Sequence, residues 1–366
     1  MINKFHKSSV NLPIREKGNI KYVVAFLIVI ISYIGFSTVE GTPLIIMQVL
    51  AMLGILLLFN VPSKWVEDSF AYISYKYKIS SAVAGGIFLA IASSSPEFFT
   101  SVSGVIWYEI FDIAFDTLIW SSIFNLCVII GVATFYKPKL LIRKNILKRD
   151  LPTLGITILV LLILALDGSY STIDFSILII LYFSYILILY FDKSRPYNEV
   201  TNNGSKLSII VKLILGFSLI AILAHSMISI GQDTIVSVKE YYGVILPIGV
   251  LACTIYGPGT SVADLFMSIA AIKKGEDTAA VLNGISSNTF DLTICIGVPG
   301  LTYTFITGKE ILIDLSSSIL LISMLMTSFI LVFFILRNGI ITRKEGSILL
   351  GFYLICTVVY LLTILN

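Results

Sequence analysis

The chain has 366 residues, of which 57% are hydrophobic and only 13% are charged, and its mean hydropathy is +0.96. Soluble domains carry about a quarter charged residues to cover their surface, so this composition excludes a water-soluble globular protein and favours a membrane protein. The formal net charge is only +3, with the basic residues spread over short loops. Nucleic acid is therefore not an expected partner.

The four cysteines all lie within apolar runs, so neither a disulfide framework nor a Cys-x-x-Cys metal site is expected. The two histidines, His6 and His225, are too few and too far apart for a histidine-based metal centre. We expect His225 to be a packed helix residue and the protein to need no cofactor.

Apolar runs between charged segments predict eleven helices, about the number that a chain of this length allows at roughly 20 residues per span. The predicted helices cover residues 20–37, 42–60, 82–107, 114–135, 151–167, 173–191, 207–230, 242–272, 278–306, 311–336 and 346–365. The first follows a basic stretch, as a secretory signal does. Because it lacks an A-x-A-like cleavage site, it is predicted to be an uncleaved helix, with a signal as the alternative.

The basic residues alternate between loops, which predicts the orientation in the membrane. They concentrate in the N-terminal tail, in 61–79, 136–150, 192–206 and 337–345, and at Lys273 and Lys274, whereas the intervening loops hold only Lys239 and Lys309. Cytoplasmic loops carry most of the Lys and Arg of a membrane protein. We therefore predict a multi-pass protein of the cell membrane with a cytoplasmic N-terminus and a C-terminus outside.

The chain contains an internal repeat. Residues 93–101 (SSSPEFFTS) match 260–268 (TSVADLFMS), and 121–125 (SSIFN) match 287–291 (SNTFD) at nearly the same offset. The loop charges give the two halves opposite orientations, as in secondary transporters with a midplane site.

The predicted fold is an all-α polytopic membrane protein with ten core helices in two inverted five-helix repeats plus an extra N-terminal helix. Its predicted divisions are the N-terminal tail and extra helix (1–41), the first repeat (42–191), a cytoplasmic linker (192–206) and the second repeat (207–366).

Each half places one acid deep inside a predicted span. Glu97 lies ten residues before Trp107, and Asp264 lies nine before Lys273, so both fall roughly 14 to 16 Å from a membrane face at about 1.5 Å per residue. A carboxylate at that depth is costly unless it faces a cavity, a partner or a cation. No Lys or Arg lies at the same depth to pair with it.

Oxygen-bearing side chains accompany the acids at helical spacing. Hydroxyls lie three or four residues from each acid and so share its helix face, and each second motif adds a serine and an amide or acid four residues apart. Oxygen donors without nitrogen or sulfur suit Ca²⁺, Mg²⁺ or Na⁺. The candidate metal ligands are Glu97, Asp264, Asp291, Asn125, Ser93, Ser94, Ser121, Thr260, Ser261 and Ser287. The simpler alternatives are back-bonding of each hydroxyl to the carbonyl at i−4 and interhelical hydrogen bonding of Asn125 and Asp291.

Backbone breaks lie beside both acids. Pro96 and the Gly257-Pro258-Gly259 segment weaken helical hydrogen bonding and release carbonyl oxygens. The carbonyls near Ala90 and Gly257 are therefore candidate Na⁺ ligands, since such groups are tolerated in a bilayer only where they line a cavity or hold an ion.

These four motifs resemble those of the calcium/cation antiporter superfamily, the Na⁺/Ca²⁺ exchangers, and look most like its K⁺-dependent branch. The resemblance implies that Glu97 and Asp264 bind Ca²⁺, that the hydroxyls bind Na⁺ or Ca²⁺, and that Asp291 binds K⁺. The sequence departs from the family pattern at Ala92, Ala263, Trp120 and Ser286. Asp116 is unusual at its position, and the sequence does not decide between a place in the site and one in an access path.

The resulting functional hypothesis is a transporter, not an enzyme, that exchanges Na⁺ for Ca²⁺ by alternating access, with K⁺ co-transport as a variant. The expected partners are Ca²⁺, Na⁺, K⁺ or H⁺ and the lipid bilayer, and the protein is expected to act as a monomer. An H⁺/Ca²⁺ antiporter is the closest alternative. An intramembrane aspartyl protease also needs two buried acids, but the usual GxGD sequence is absent from this chain.

Overall fold

The computed structural model of the chain describes residues 19–36, 38–191 and 206–365. The predicted N-terminal tail up to residue 18, and the predicted linker except its last residue, lie outside the described residues.

The described residues fold into thirteen helices and four short strands. The helices are α1 (Asn19–Gly35), α2 (Thr42–Leu58), α3 (Asn60–Lys76), α4 (Ser81–Ser93), α5 (Ser95–Trp107), α6 (Phe111–Tyr136), α7 (Lys144–Ala165), α8 (Thr172–Tyr190), α9 (Lys206–Tyr242), α10 (Ile248–Lys274), α11 (Asp277–Thr307), α12 (Leu315–Leu336) and α13 (Arg343–Leu365). The strands are β1 (Lys139–Leu141), β2 (Ser169–Tyr170), β3 (Ile311–Leu312) and β4 (Ile340–Thr342).

Each of the eleven predicted helices corresponds to a helix or a helix pair of the structure. Among the described residues, eight helical segments are long and apolar enough to cross a membrane, or nine when the bent pair α4 and α5 counts as one span. Of the other two predicted helices, α1 is shorter, and α7 begins with the charged residues of 144–150. The chain is thus a mostly helical membrane protein.

The loop predicted over 61–79 is wrong, because most of it is helix α3. Lys64 Nζ lies 3.2 Å from Glu67 Oε2 and 3.0 Å from Asp68 Oδ1, so the charges taken as loop signals pair at the i,i+3 and i,i+4 spacing of a helix. The opposite side of α3 is buried and includes Val66 and Ser69. The predicted end of the helix at residue 230 is also wrong, since α9 continues to Tyr242.

Two antiparallel strand pairs close opposite ends of the bundle. Strand β1 pairs with β4, and β2 pairs with β3. Helix α7 separates β1 from β2, and α12 separates β3 from β4. The β1/β4 pair therefore lies at one end of the bundle and the β2/β3 pair at the other.

This strand pairing fixes the directions of α6 and α11, the helices that carry the second motifs of the repeat. Helix α6 ends next to β1, at the β1/β4 end, whereas α11 ends next to β3, at the β2/β3 end. The two matching helices consequently run in opposite directions through the bundle.

Helix α6 lies in the middle of the bundle, with every residue from Ile113 to Phe124 buried. Glycines let the helices of the second half approach it closely, as in other membrane-helix interfaces. A Cβ on Gly257 would lie 2.5 Å from Trp120 Cβ, and a Cβ on Gly284 would lie 3.1 Å from the Asn125 carbonyl oxygen. Both halves of the chain therefore meet around the second half of α6.

Candidate functional site

The helix carrying each first motif is interrupted at the same position in both halves. Regular helix stops at Ser94 and again at Ser261, where the backbone has ψ values of 10° and −2°. The axes of α4 and α5 differ by 50° across the first break. Pro96 lies in the first turn of α5, where its missing N–H costs little. The breaks place each acid in the first turn of a new helical segment.

The second motifs have a matching irregularity. A π-helical turn covers Asn125–Ile129 in α6, and another covers Asp291–Cys295 in α11. Such turns commonly occur at functional sites because they shift side chains out of the regular helical register. Both turns begin at a predicted ligand.

Glu97 is fully buried, and its Oε1 accepts a long hydrogen bond of 3.4 Å from Ser121 Oγ. Thr260, from the other half of the chain, lies beside this carboxylate. Oε2 is buried without a hydrogen-bond partner among the described residues. A buried carboxylate oxygen left open in this way is poised to accept a proton or a cation.

Asp264 is also fully buried and is held more firmly. Its Oδ1 accepts hydrogen bonds from Ser287 Oγ at 3.0 Å and from Asn283 Nδ2 at 2.9 Å. Its Oδ2 is buried and has no hydrogen-bond partner within the described part of the chain. One oxygen of Asp264 is thus fixed by the protein while the other stays open.

Two contacts between serines join the halves. Ser121 Oγ lies 2.7 Å from Ser261 Oγ, and Ser93 Oγ lies 3.0 Å from Ser287 Oγ. Ser121 also donates to Glu97, and Ser287 also donates to Asp264. Each acid therefore belongs to a cluster that includes a serine from the other half of the chain, and these two clusters together are called the network.

Asn125 and Asp291 lie in the same buried region. Asn125 Nδ2 donates to Asn288 Oδ1 at 2.9 Å, and its own Oδ1 has no partner within residues 19–36, 38–191 and 206–365. Asp291 lies beside Ser94 and interacts electrostatically with Glu97 and Asp264. Its Oδ2 is likewise buried without a partner in those residues. The structure thus brings all ten predicted ligands into one region, with each side chain at most 1% exposed.

Part of the simpler alternative for the hydroxyls also holds. Thr260 Oγ1 donates to the Tyr256 carbonyl at 3.0 Å, and Ser261 Oγ donates to the Gly257 carbonyl at 3.0 Å. The Ala90 carbonyl similarly accepts from Ser93 Oγ at 3.2 Å and from the Ser94 amide at 2.9 Å. The two carbonyls predicted as Na⁺ ligands therefore already accept hydrogen bonds.

Across residues 19–36, 38–191 and 206–365, no basic side chain compensates the acids. In the described residues Glu97, Asp264 and Asp291 make no ion pair with Lys, Arg or His. Nor do those residues contain a group of three or more His, Cys, Asp or Glu side chains arranged to hold one metal ion. A cation in this region would consequently draw most of its ligands from hydroxyl, amide and carbonyl oxygens.

Sequence reasoning missed two asparagines of the network. Asn283 donates to both the Oδ1 and the carbonyl oxygen of Asp264, and Asn288 Nδ2 donates to the Ser122 carbonyl at 2.9 Å. Asn283 lies four residues before Ser287 and so shares its helix face. That spacing was available in the sequence as a signal.

Asp116 points away from the network. Its Oδ2 accepts a hydrogen bond of 3.1 Å from Tyr360 Oη on α13, and it makes no hydrogen bond with any of the ten predicted ligands.

His225, predicted as a packed residue, contacts the end of α5, where its Nδ1 lies 3.1 Å from Ser103 Oγ and its ring stacks on Tyr108.

Comparison with known families gives one match over most of the chain. The family described as sodium/calcium exchanger protein matches residues 46–191 and 208–362. The putative antiporter CaxA from Alkalimonas amylolytica is 27% identical over 332 residues, which cover 84% of this chain and 96% of that protein.

Solved structures share the fold. The H⁺/Ca²⁺ exchanger CAX superposes with a TM-score of 0.69 at 14% identity, covering 94% of this chain and 92% of that one. The sodium–calcium exchanger NCX_Mj gives a TM-score of 0.61 at 21% identity, covering 92% and 97%. At sequence identities this low, the structural similarity shows a shared fold.

Proposed function

Because the chain belongs to the sodium/calcium exchanger family, a family of ion transporters and not of enzymes, we propose that it exchanges Na⁺ for Ca²⁺ across a membrane by alternating access. The protease alternative is thereby excluded. The observation that carries the proposal is the pair of open carboxylate oxygens, Glu97 Oε2 and Asp264 Oδ2, in a network built from both halves of the chain.

The proposed cargo site consists of the ten predicted ligands. Glu97 and Asp264 supply the charge for Ca²⁺, and the hydroxyls of Ser93, Ser94, Ser121, Thr260, Ser261 and Ser287, with Asn125 and Asp291, supply further oxygens. Hard cations prefer such ligands. Several of these hydroxyls donate their hydrogen to a backbone carbonyl. The lone pairs of the hydroxyl oxygens would still coordinate a cation while those hydrogen bonds persist.

Exchange follows from the cost of an empty site. Buried carboxylates without a counterion cost free energy in a low-dielectric interior. An empty site, whose carboxylates have no cation, therefore does not readily cross the low-dielectric barrier between the two sides of the membrane. Loading with either Ca²⁺ or Na⁺ lowers that cost. Competition for the same oxygens therefore couples the two ions without a separate sensor for each.

The proposed architecture is ten core helices in two inverted repeats plus α1. Three observations support it: α6 and α11 run in opposite directions, β1 pairs with β4 while β2 pairs with β3, and the helix breaks at Ser94 and Ser261 match. The proposed core spans are the continuous segment of α2 and α3 (Thr42–Lys76), then α4 with α5, and then each helix from α6 to α13. We further propose that the basic β1/β4 end faces the cytoplasm of a cell-membrane protein, and that one chain forms the transport unit.

A second candidate, H⁺/Ca²⁺ exchange, is favoured by the same open carboxylate oxygens, because a buried carboxylate without a counterion can also take up a proton. K⁺ co-transport rests on Asp291 and stays a prediction.

The experiment is a flux assay on the purified protein in liposomes, with Na⁺, K⁺ and pH varied independently. We expect ⁴⁵Ca²⁺ uptake into Na⁺-loaded vesicles at equal internal and external pH, and loss of uptake when internal Na⁺ is replaced by choline. Uptake that follows a pH difference and ignores Na⁺ would support the H⁺-coupled alternative. Absence of uptake under every gradient would contradict Ca²⁺ exchange itself.

A further inference from the structure

Asp116 is a buried carboxyl outside the cargo site. It lies on α6 five residues before Ser121, nearer the β2/β3 end of the bundle, and is only 7% exposed. Its Oδ2 accepts the hydrogen bond from Tyr360 Oη. The side chain of Trp120, which is fully buried, packs on the Tyr360 ring with centroids 5.3 Å apart.

A missing side chain on α10 makes room for this contact. A Cβ on Gly249 would lie 2.2 Å from Tyr360 Oη and 3.1 Å from Asp116 Oδ2. The Asp116–Tyr360 pair is thus enclosed by α6, α10 and α13, and α10 is the helix that carries Thr260, Ser261 and Asp264.

Within the described part of the chain, no positive charge faces the pair. The groups that act on it are Asp112 from α6 itself, Cys253 from α10, Asp314 at the start of α12 and Tyr360 from α13. None of the ion pairs in the described residues includes Asp116. An ionised Asp116 would therefore be a buried charge whose nearest charged neighbours repel it.

From this geometry we infer that Asp116 is a proton-binding site, separate from the cargo site, that links α6, α10 and α13 in its protonated form. Tyr360 donates to Oδ2, so the proton of the neutral carboxyl resides on Oδ1. Burial without a counterion favours that neutral form. Asp112 and Asp314 are exposed at the same end of the bundle and offer a route for the proton to water.

The consequence is a pH dependence of transport that does not require proton coupling. At low pH the proton is present and the three helices stay packed around the pair. At high pH ionisation puts an uncompensated charge beside the first turn of α10 and slows the exchanger. A pH effect on Ca²⁺ flux then has two separable sources, proton competition at the cargo acids and proton loss from Asp116.

The test uses infrared spectroscopy on the full-length protein in lipid, comparing wild type with Asp116→Asn. We expect the wild-type spectrum at neutral pH to contain a carboxylic-acid C=O stretch that Asp116→Asn removes. In Tyr360→Phe that band should shift to higher frequency, because the hydrogen bond to it is lost. A difference spectrum with no protonated carboxyl would overturn the assignment, and this readout does not depend on transport.

Flux measurements test the consequence. Wild-type ⁴⁵Ca²⁺ uptake should fall severalfold at alkaline pH, and Asp116→Asn, which cannot ionise, should keep its uptake there. Asp167→Asn, an exposed acid at the same end of the bundle that is not among the groups acting on Asp116, is the control and should retain the wild-type pH profile. An unchanged alkaline decline in Asp116→Asn would contradict the proposed effect on transport.

Discussion

Ser121 Oγ, from the first half of the chain, lies 2.7 Å from Ser261 Oγ, from the second half. Ser121 also reaches Glu97, while Ser261 marks the helix break before Asp264. Ser121 belongs to α6 and Ser261 to α10. A rearrangement that separates α6 from α10 would therefore also alter the surroundings of both acids. This coupling between halves is what alternating access around a shared site requires.

Gly257 should be intolerant of any side chain. In Gly257→Ala the new methyl group would lie 2.5 Å from Trp120 Cβ and 2.9 Å from the Ser121 amide nitrogen, so α10 must move away from α6. We expect a loss of stability of about 1–3 kcal/mol from overpacking, measured as a lower thermal unfolding temperature in detergent. Gly351→Ala, where a Cβ meets open space, is the control and should be neutral or stabilising. Equal unfolding temperatures for the two variants would contradict the close approach.

Asn283 should position Asp264 for Ca²⁺. Asn283→Ala removes a hydrogen bond of 2.9 Å to a carboxylate, an interaction worth about 1.5–3 kcal/mol, so the KM for Ca²⁺ should rise roughly tenfold or more. Ser286→Ala is the matched control, because Ser286 Oγ donates within its own helix, to the Leu282 carbonyl. A KM for Asn283→Ala equal to that of the control would show that Asn283 has no positioning role.

Asp291 carries the prediction of K⁺ dependence. If K⁺ binds there, K⁺ should accelerate Na⁺-driven ⁴⁵Ca²⁺ uptake in the wild type, and Asp291→Asn should transport at a rate insensitive to K⁺. Asp167→Asn, in an exposed turn, should respond to K⁺ like the wild type. A wild-type rate indifferent to K⁺ would remove the case for co-transport.

The helices and the proximity of the ten candidate side chains were predictable because deep carboxylates and 3.6-residue hydroxyl spacing are strong signals in an apolar chain. Helix α3 was missed because charge was read as a loop signal, although Lys64 pairs with Glu67 and Asp68 along the helix. The place of Asp116 was undecidable from sequence, since its direction depends on Tyr360, 244 residues further along the chain. Tertiary contacts of that kind leave no local pattern.

The central claim is that Glu97 and Asp264 bind Ca²⁺, and measuring Ca²⁺ binding to the purified protein tests it most directly. Titration calorimetry of Glu97→Gln and Asp264→Asn should show an affinity for Ca²⁺ at least about a hundredfold below wild type, since removing one charged partner from a buried ion pair costs about 3–5 kcal/mol. Glu310→Gln, an exposed acid beyond the end of α11, should bind Ca²⁺ like the wild type. Near-normal Ca²⁺ binding by either folded site variant would contradict the account.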